Sequence, residues 1–377
     1  MFRSGCEHFY SPPFDTINDE YRKFLHEFPC NITHITLPKN LEDAKATLDR
    51  WIAYGTLIRE NEAIILLKQK FESSGRNMER YGIMALVKIF PDDGSVIPHE
   101  KTFSGPRTGR YKLMKHIGCI PEPIFLVSGN SHLRSILQGQ TESMSPVLSF
   151  TEPEGVLNEI FLCIDRDFIE KLRVLMEKEN SIVADGHHRL AALREIASEV
   201  PSDLNWHYAM AYITPIDQES LMISGIHRII GKIKSKESFL NDLKHHFTVE
   251  EEKRLSDKDI TLYMNHTYYR LSLKREYLGD DIMDNIPPNI VNRFILDELK
   301  DLNGEDMEKY TKYTDKSAEA IETVDKKEAD ACILMPVWDK ELFQKCISER
   351  KLFPQKSTFF FPKVPSGIAL YIPMKND

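Results

Sequence analysis

Cysteine is sparse in this chain and never paired. Its six cysteines stand at positions 6, 30, 119, 163, 332 and 346, and no two have CxxC spacing. Neither a zinc ribbon nor a redox dithiol is indicated. Cys119, Cys163 and Cys332 sit in apolar surroundings and read as small core residues. An excess of positive charge is missing too, the formal net charge being −9. Broad nucleic-acid binding needs clustered Lys and Arg, so no nucleic-acid partner is expected. A local basic pocket in an acidic protein points instead to a small anionic ligand. No apolar run approaches the length of a membrane span, and the first residues carry no apolar signal region. The expectation is a cytoplasmic protein with no membrane partner. Internal repeats and low-complexity tracts are absent, and nothing in the pattern sets an oligomeric state.

What is present is an ordinary globular composition. The 377 residues are 41% hydrophobic and 28% charged, enough for two domains. Asn40 reads as an N-cap, followed by Leu41, Ala44, Leu48, Trp51 and Ile52 at helical spacing, with Gly55 closing the helix. Residues 62–69 and 82–89 read as strands, with a turn at Ser73-Ser74-Gly75. A second turn at 91–95, a helix near 108–117 and a strand at 123–127 follow, whereas 128–155 shows no clear pattern. The clearest local pattern is at 181–200. Ser181-Ile182-Val183-Ala184 is a short apolar strand, Asp185-Gly186 ends it, and Leu190, Leu193, Ile196, Ala197 and Val200 recur at helical spacing. Pro201-Ser202-Asp203 is the expected boundary, giving domains 1–203 and 204–377. Beyond it, 207–213 and 262–272 read as strands, 299–330 as a charged and mostly helical stretch, 331–335 as a strand and 339–349 as a helix.

Three constellations could carry chemistry. The first is Asp185-Gly186-His187-His188-Arg189. Glycine permits a tight turn, and the helix that starts there offers unpaired N–H groups and the positive end of its dipole. A phosphate suits such a place, with Arg189 as a forked charged contact and the two histidines as further donors. Asp185 at the strand end could hold Mg²⁺ or orient a hydroxyl. The same residues also suit an N-cap Asp before a polar first turn. A shared zinc site is disfavoured, because adjacent histidines point in different directions on a helix. The second constellation is Pro98-His99-Glu100-Lys101-Thr102, where Glu100 beside His99 could act as a general base, with Arg107 and Arg110 following on a Gly-Pro loop. From the residues alone a surface turn is the favoured reading of Pro98–Thr102, and for the two arginines a solvated loop serves as well as anion binding. The third is Lys356-Ser357-Thr358 ahead of Phe359-Phe360-Phe361, a polar entrance to a buried strand. His227-Arg228 is a further basic pair.

Taken in order, Ser11-Pro12-Pro13-Phe14-Asp15, His34-Ile35-Thr36-Leu37-Pro38, Pro98-His99-Glu100-Lys101-Thr102, Ala184-Asp185-Gly186-His187-His188-Arg189, His227-Arg228 and Lys356-Ser357-Thr358-Phe359-Phe360-Phe361-Pro362-Lys363 resemble the bacterial and archaeal family known as domain of unknown function 1015. That family shares its Asp-Gly-His-His-Arg element with the free-serine kinases of the ParB/sulfiredoxin-like superfamily. The resemblance implies a mixed α/β fold: a ParB/sulfiredoxin-like nucleotide-binding core and a second α+β domain, with the site in the cleft between them. It implies phosphoryl transfer from ATP or ADP, with Mg²⁺, to a small-molecule hydroxyl, free L-serine first among acceptors. Glu100 would be the catalytic base and Asp185 a second catalytic group and metal ligand. Gly186, His187, His188, Arg189 and Arg107 would bind phosphate, and His99, Lys356, Ser357, Thr358, His227 and Arg228 the acceptor. The stretch between Glu100 and Asp185 is longer than in the compact serine kinases, which implies an insertion. The alternatives are a nucleotide-binding switch or scaffold without kinase chemistry, and a phosphohydrolase using the same pocket.

Overall fold

The computed structural model describes residues 8–60, 62–73, 75–89, 96–100, 104–177, 179–216, 219–299 and 310–373. The expected turn at 91–95, Ser74 of the expected 73–75 turn, Lys101, Thr102 and part of the expected helical stretch at 299–330 lie outside them. The chain forms two compact units of mixed α/β structure. One comprises Met1–Pro98, Thr102–Leu221 and Pro362–Asp377, the other His99–Lys101 and Met222–Phe361.

The first unit is built on an eight-stranded sheet. Its strands are β1 (Ile64–Ser73), β2 (Arg76–Lys88), β3 (Val96–Pro98), β4 (Ile124–Ser128), β5 (Leu148–Thr151), β6 (Leu157–Cys163), β7 (Ser181–Asp185) and β8 (Tyr208–Pro215). Their order is β3-β7-β4-β8-β2-β1-β6-β5. β3 with β7 and β4 with β8 are parallel, and the other neighbours antiparallel. β4 is buried at every position, as a central strand covered on both faces should be. Helices of this unit are α1 (Asp19–Leu25), α2 (Thr33–Thr36), α3 (Leu41–Ala53), α4 (Ser104–Ile117), α5 (Leu133–Glu142), α6 (Arg166–Met176) and α7 (His187–Glu199). The Asn40 side chain caps α3 by accepting from Asp43 N, which confirms that N-cap. Leu190, Leu193, Ile196 and Ala197 of α7 join Val183, Ile124, Leu126 and Met114 in the largest apolar cluster.

The second unit holds a six-stranded antiparallel sheet in the order β11-β13-β12-β15-β10-β14. Its elements are β9 (Met222–Ser224), β10 (His227–Ile230), α8 (Lys236–His246), β11 (Phe247–Glu252), β12 (Ile260–Met264), β13 (Thr267–Leu273), α9 (Pro287–Val291), β14 (Thr311–Thr314), α10 (Ser317–Asp325), β15 (Ala331–Leu334), α11 (Lys340–Ser348) and β16 (Phe359–Phe361). β16, the Phe triplet, pairs with β9.

Two readings of organisation change. Pro201-Ser202-Asp203 is not where the units divide: it links α7 to β8, and β8 lies in the middle of the first sheet between β4 and β2. Pro and Asp end a helix as readily inside a unit as between units. The 262–272 run is a hairpin rather than one strand, because Asn265 and His266 both take positive φ and turn the chain. Within 299–330, Thr311–Thr314 is a strand, and helix is confirmed at Ser317–Asp325.

Candidate functional site

The strand–turn–helix at 181–200 forms as the residue pattern requires. β7 ends at Asp185, Gly186 takes φ +89°, and α7 starts at His187. A side chain at 186 would meet Arg189 Nε at 3.0 Å. Only glycine both adopts the left-handed turn and lets Arg189 fold back over it. Gly186 also provides no side-chain cap for α7, so that helix begins with its dipole unscreened by an N-cap oxygen.

Asp185 holds two cations at once. Lys363 Nζ donates to Oδ1 at 2.7 Å, and Arg189 Nη2 donates to Oδ2 at 2.6 Å. Burial alone would raise its pKa, but Lys363 and Arg189 outweigh it and hold the carboxyl well below the usual carboxylate range. Asp185 is thus a fixed anion, unsuited to accept a proton near neutral pH. Arg189 is used differently from the sequence expectation. It is 6% exposed, and its Nη1 donates to the Pro123 carbonyl at 2.6 Å, just ahead of the neighbouring strand β4. Both Nη groups are consumed inside the protein, so Arg189 braces Asp185 rather than offering a fork to phosphate. His187 lies beside them, and burial lowers its pKa to about 4, against the opposing pull of Asp185. It is neutral at pH 7 and able to donate and accept. His188, next on α7, is partly exposed.

Further charged groups adjoin this cluster. Glu122, 1% exposed, accepts from Ser366 Oγ at 2.9 Å and lies 3.5 Å from Arg110 Nη1. Arg110 donates to Thr36 O at 2.9 Å and stacks on the Phe14 ring at 3.9 Å. The charges of Glu122 and Asp15 both act on Arg189. The Pro-Pro-Phe-Asp segment is thereby tied to the Asp185 cluster. Arg107 is not part of it. Its Nε lies 3.5 Å from Glu195 in an exposed pair between α4 and α7.

Lys363 and Glu122 were not singled out from the sequence as site residues, and Arg110 was noted only beside Arg107 on the Gly-Pro loop. Each is a single side chain brought in from far along the chain, which leaves no local pattern. The one usable signal was the place of Lys363 at the end of the Phe-Phe-Phe-Pro-Lys stretch.

The second unit gathers the other expected group. Glu100 Oε1 accepts from Thr358 Oγ1 at 2.8 Å, Thr358 N at 3.0 Å and Ser357 N at 3.3 Å. His99 Nε2 lies 2.9 Å from Thr358 Oγ1. Since that hydroxyl donates to the carboxylate, it accepts from the His99 ring, completing a chain His99–Thr358–Glu100. His99 is fully buried, edge-on to the rings of Phe343, Phe353 and Phe360. The Ser357 hydroxyl is spent on the Pro354 carbonyl at 2.6 Å, so this residue shapes the turn rather than facing an acceptor. Lys356 is exposed with φ +58°. His227 and Arg228 are buried side by side on β10, in the same unit as Glu100.

Both oxygens of Asp185 are engaged by cations. Among the described residues no group of three or more His, Cys, Asp or Glu could hold a metal ion. This donor set does not fit a protein-held Mg²⁺ at Asp185. No helix among the described residues is long and apolar enough to cross a membrane.

The family described as Protein of unknown function (DUF1015) matches residues 3–303. No curated protein matches. Among solved structures, similarity extends to a conserved hypothetical protein from Pyrococcus furiosus, at 13% identity and TM-score 0.41, covering 75% of this chain and 93% of that one. A free serine kinase in complex with AMP aligns at 12% identity and TM-score 0.41, covering 74% and 86%. SbnI with a C-terminal truncation from Staphylococcus aureus aligns at 11% identity and TM-score 0.41, covering 74% and 84%. Likeness at this level does not carry an activity from those proteins to this one.

Proposed function

We propose that this chain, which belongs to the DUF1015 family, is a phosphotransferase that moves a phosphoryl group from ATP or ADP to the hydroxyl of a small molecule. Free L-serine is the first acceptor to consider, because the Asp185–Arg189 and Pro98–Glu100 elements resemble those of the free-serine kinases. The observation that supports the reading best is the Gly186 turn. It places a helix N-terminus, the Lys363 ammonium and a neutral His187 around one immobilised carboxylate. Phosphoryl transfer asks little covalent chemistry of a protein and much positioning of charge.

The roles divide accordingly. The first-turn N–H groups of α7 and Lys363 receive nucleotide phosphate, and His187 and His188 add neutral donors. Asp185 and Arg189 are positioning residues: Asp185 aims Lys363, and Arg189 fixes Asp185. Glu100 takes the proton of the acceptor hydroxyl, its direction set by Thr358 and Ser357.

A nucleotide-binding switch without transfer is the second reading, and one observation favours it. A carboxylate already saturated by two cations suits a binding cradle as well as a reaction centre. Nucleotide consumption measured with and without hydroxyl acceptors separates the readings. Consumption that requires an acceptor supports transfer, acceptor-independent phosphate release supports a phosphohydrolase, and binding without consumption supports the switch.

A further inference from the structure

Two arginines of the first unit that lie largely inside the protein have a carboxylate partner. Arg189 has Asp185, and Arg110 has Glu122. Arg80 directs Nε at Gln69 Oε1 at 3.0 Å, with Nη2 on the same oxygen, and lies against the rings of Phe125 and Tyr212 at 5.0 and 5.4 Å. Arg228 differs from Arg80 in lacking even a side-chain hydrogen-bond acceptor among the described residues. It is 1% exposed on β10, and its Nη1 donates to the carbonyl of Ile226, two residues away. Its Nε is buried with no hydrogen-bond partner, and it forms no ion pair among the described residues. A guanidinium does not shed its charge at neutral pH, and burial brings it only to about 10. A buried cation with no direct ion pair is costly, and an anion arriving from outside would offset that cost.

Its surroundings narrow the choice. His227 adds no charge: its Nδ1 accepts from Met335 N at 2.9 Å, and burial holds it near 4. The positive charge of the His-Arg pair is Arg228's alone. The Tyr313 ring lies 5.8 Å from the guanidinium, and the Glu100 charge acts on it. The edge carrying Nε and Nη2, opposite the Ile226 contact, matches the two oxygens of a carboxylate.

We propose that Arg228 anchors the carboxylate of the acceptor, which makes the acceptor class hydroxy acids, with or without an amino group, rather than neutral alcohols. The word acceptor rests on the phosphotransferase reading; the carboxylate site does not. On that reading, one small molecule has its hydroxyl served by Glu100 and its acid end by Arg228, both from the second unit.

The test is ligand binding to the full chain in the absence of nucleotide, by calorimetry and thermal shift. The probes are L-serine, D-glycerate, 3-hydroxypropionate, and L-serinamide, which keeps the hydroxyl and amine but lacks the carboxylate. At least one carboxylate should bind, and serinamide should bind about 10-fold or more weaker than serine. Arg228→Gln should weaken carboxylate binding by about 10- to 100-fold, and Arg228→Lys, which keeps charge but loses the fork, by less. Serinamide binding as tightly as serine, or no carboxylate binding to the wild-type chain, overturns the proposal whether or not the variants fold. A folded Arg228→Gln chain with wild-type affinity does so too. Carboxylate binding that depends on Arg228, without any transfer when nucleotide is added, upholds the anchor and removes the kinase reading.

Discussion

Gly186→Ala probes the geometry on which the phosphate site depends. The residue sits at φ +89°, where an L side chain costs about 1–2 kcal/mol. The new methyl would also stand 3.0 Å from Arg189 Nε and 3.1 Å from Nη2. Arg189 must yield by a few tenths of an ångström, yet it is held at 2.6 Å by both Pro123 O and Asp185. Loosening one of these charged bonds costs about a further 1 kcal/mol. The expected destabilisation is therefore about 2–3 kcal/mol. Gly55→Ala is the control. Its φ is +66° and a methyl there meets nothing within 4 Å, so only the backbone cost of about 1–2 kcal/mol applies. Urea unfolding of both variants should separate them by about 1 kcal/mol, and the gap should close when each is made in an Arg189→Met background. Equal losses at the two glycines, or a gap that persists without Arg189, would refute the packing argument.

Other expectations follow from the same contacts. Lys363→Met leaves Asp185 with Arg189 alone, and should cost about 2–4 kcal/mol in unfolding experiments while lowering nucleotide affinity. Loss of stability without loss of affinity would confine Lys363 to structure. His187 and His227 have folded pKa values near 4 against an ordinary 6.5, so the unfolded chain binds their protons first. Their contribution is fully present above pH 6.5 and is lost as pH falls toward 4, at most about 3 kcal/mol each. Glu152 opposes them: burial raises it to about 7, so its own effect weakens the fold as pH rises from 4.5 to 7. Melting curves should show His227→Gln flattening the acid-side loss and Glu152→Gln steepening it; parallel curves for His227→Gln and wild type would contradict the assignment.

The strand–glycine–helix at 181–200 was legible because its signals are local: a change of apolar spacing from two to nearly four, with glycine at the join. The Asn40 cap and the Phe triplet were legible for the same reason. Inward or outward aim was not. Arg189 lies on the first turn of α7 in either case, and the Asp185 carboxylate together with the Pro123 carbonyl on a neighbouring segment turns it inward. The His99–Thr358–Glu100 chain joins residues some 260 positions apart, and Lys363 reaches Asp185 across 178. No periodicity carries such pairings. The boundary expected at Pro201–Asp203 failed because turn chemistry does not say whether the next strand joins the same sheet, and β8 does.

The central claim is tested most directly by the mass of the product. The full chain would be incubated with Mg²⁺, L-serine and ATP or ADP, alongside Glu100→Gln. The account predicts O-phosphoserine from the wild type, and a rate lower by about 10²–10⁴-fold in Glu100→Gln with nucleotide affinity largely kept. No phosphorylated serine from the wild type, or equal rates in the two proteins, would contradict it.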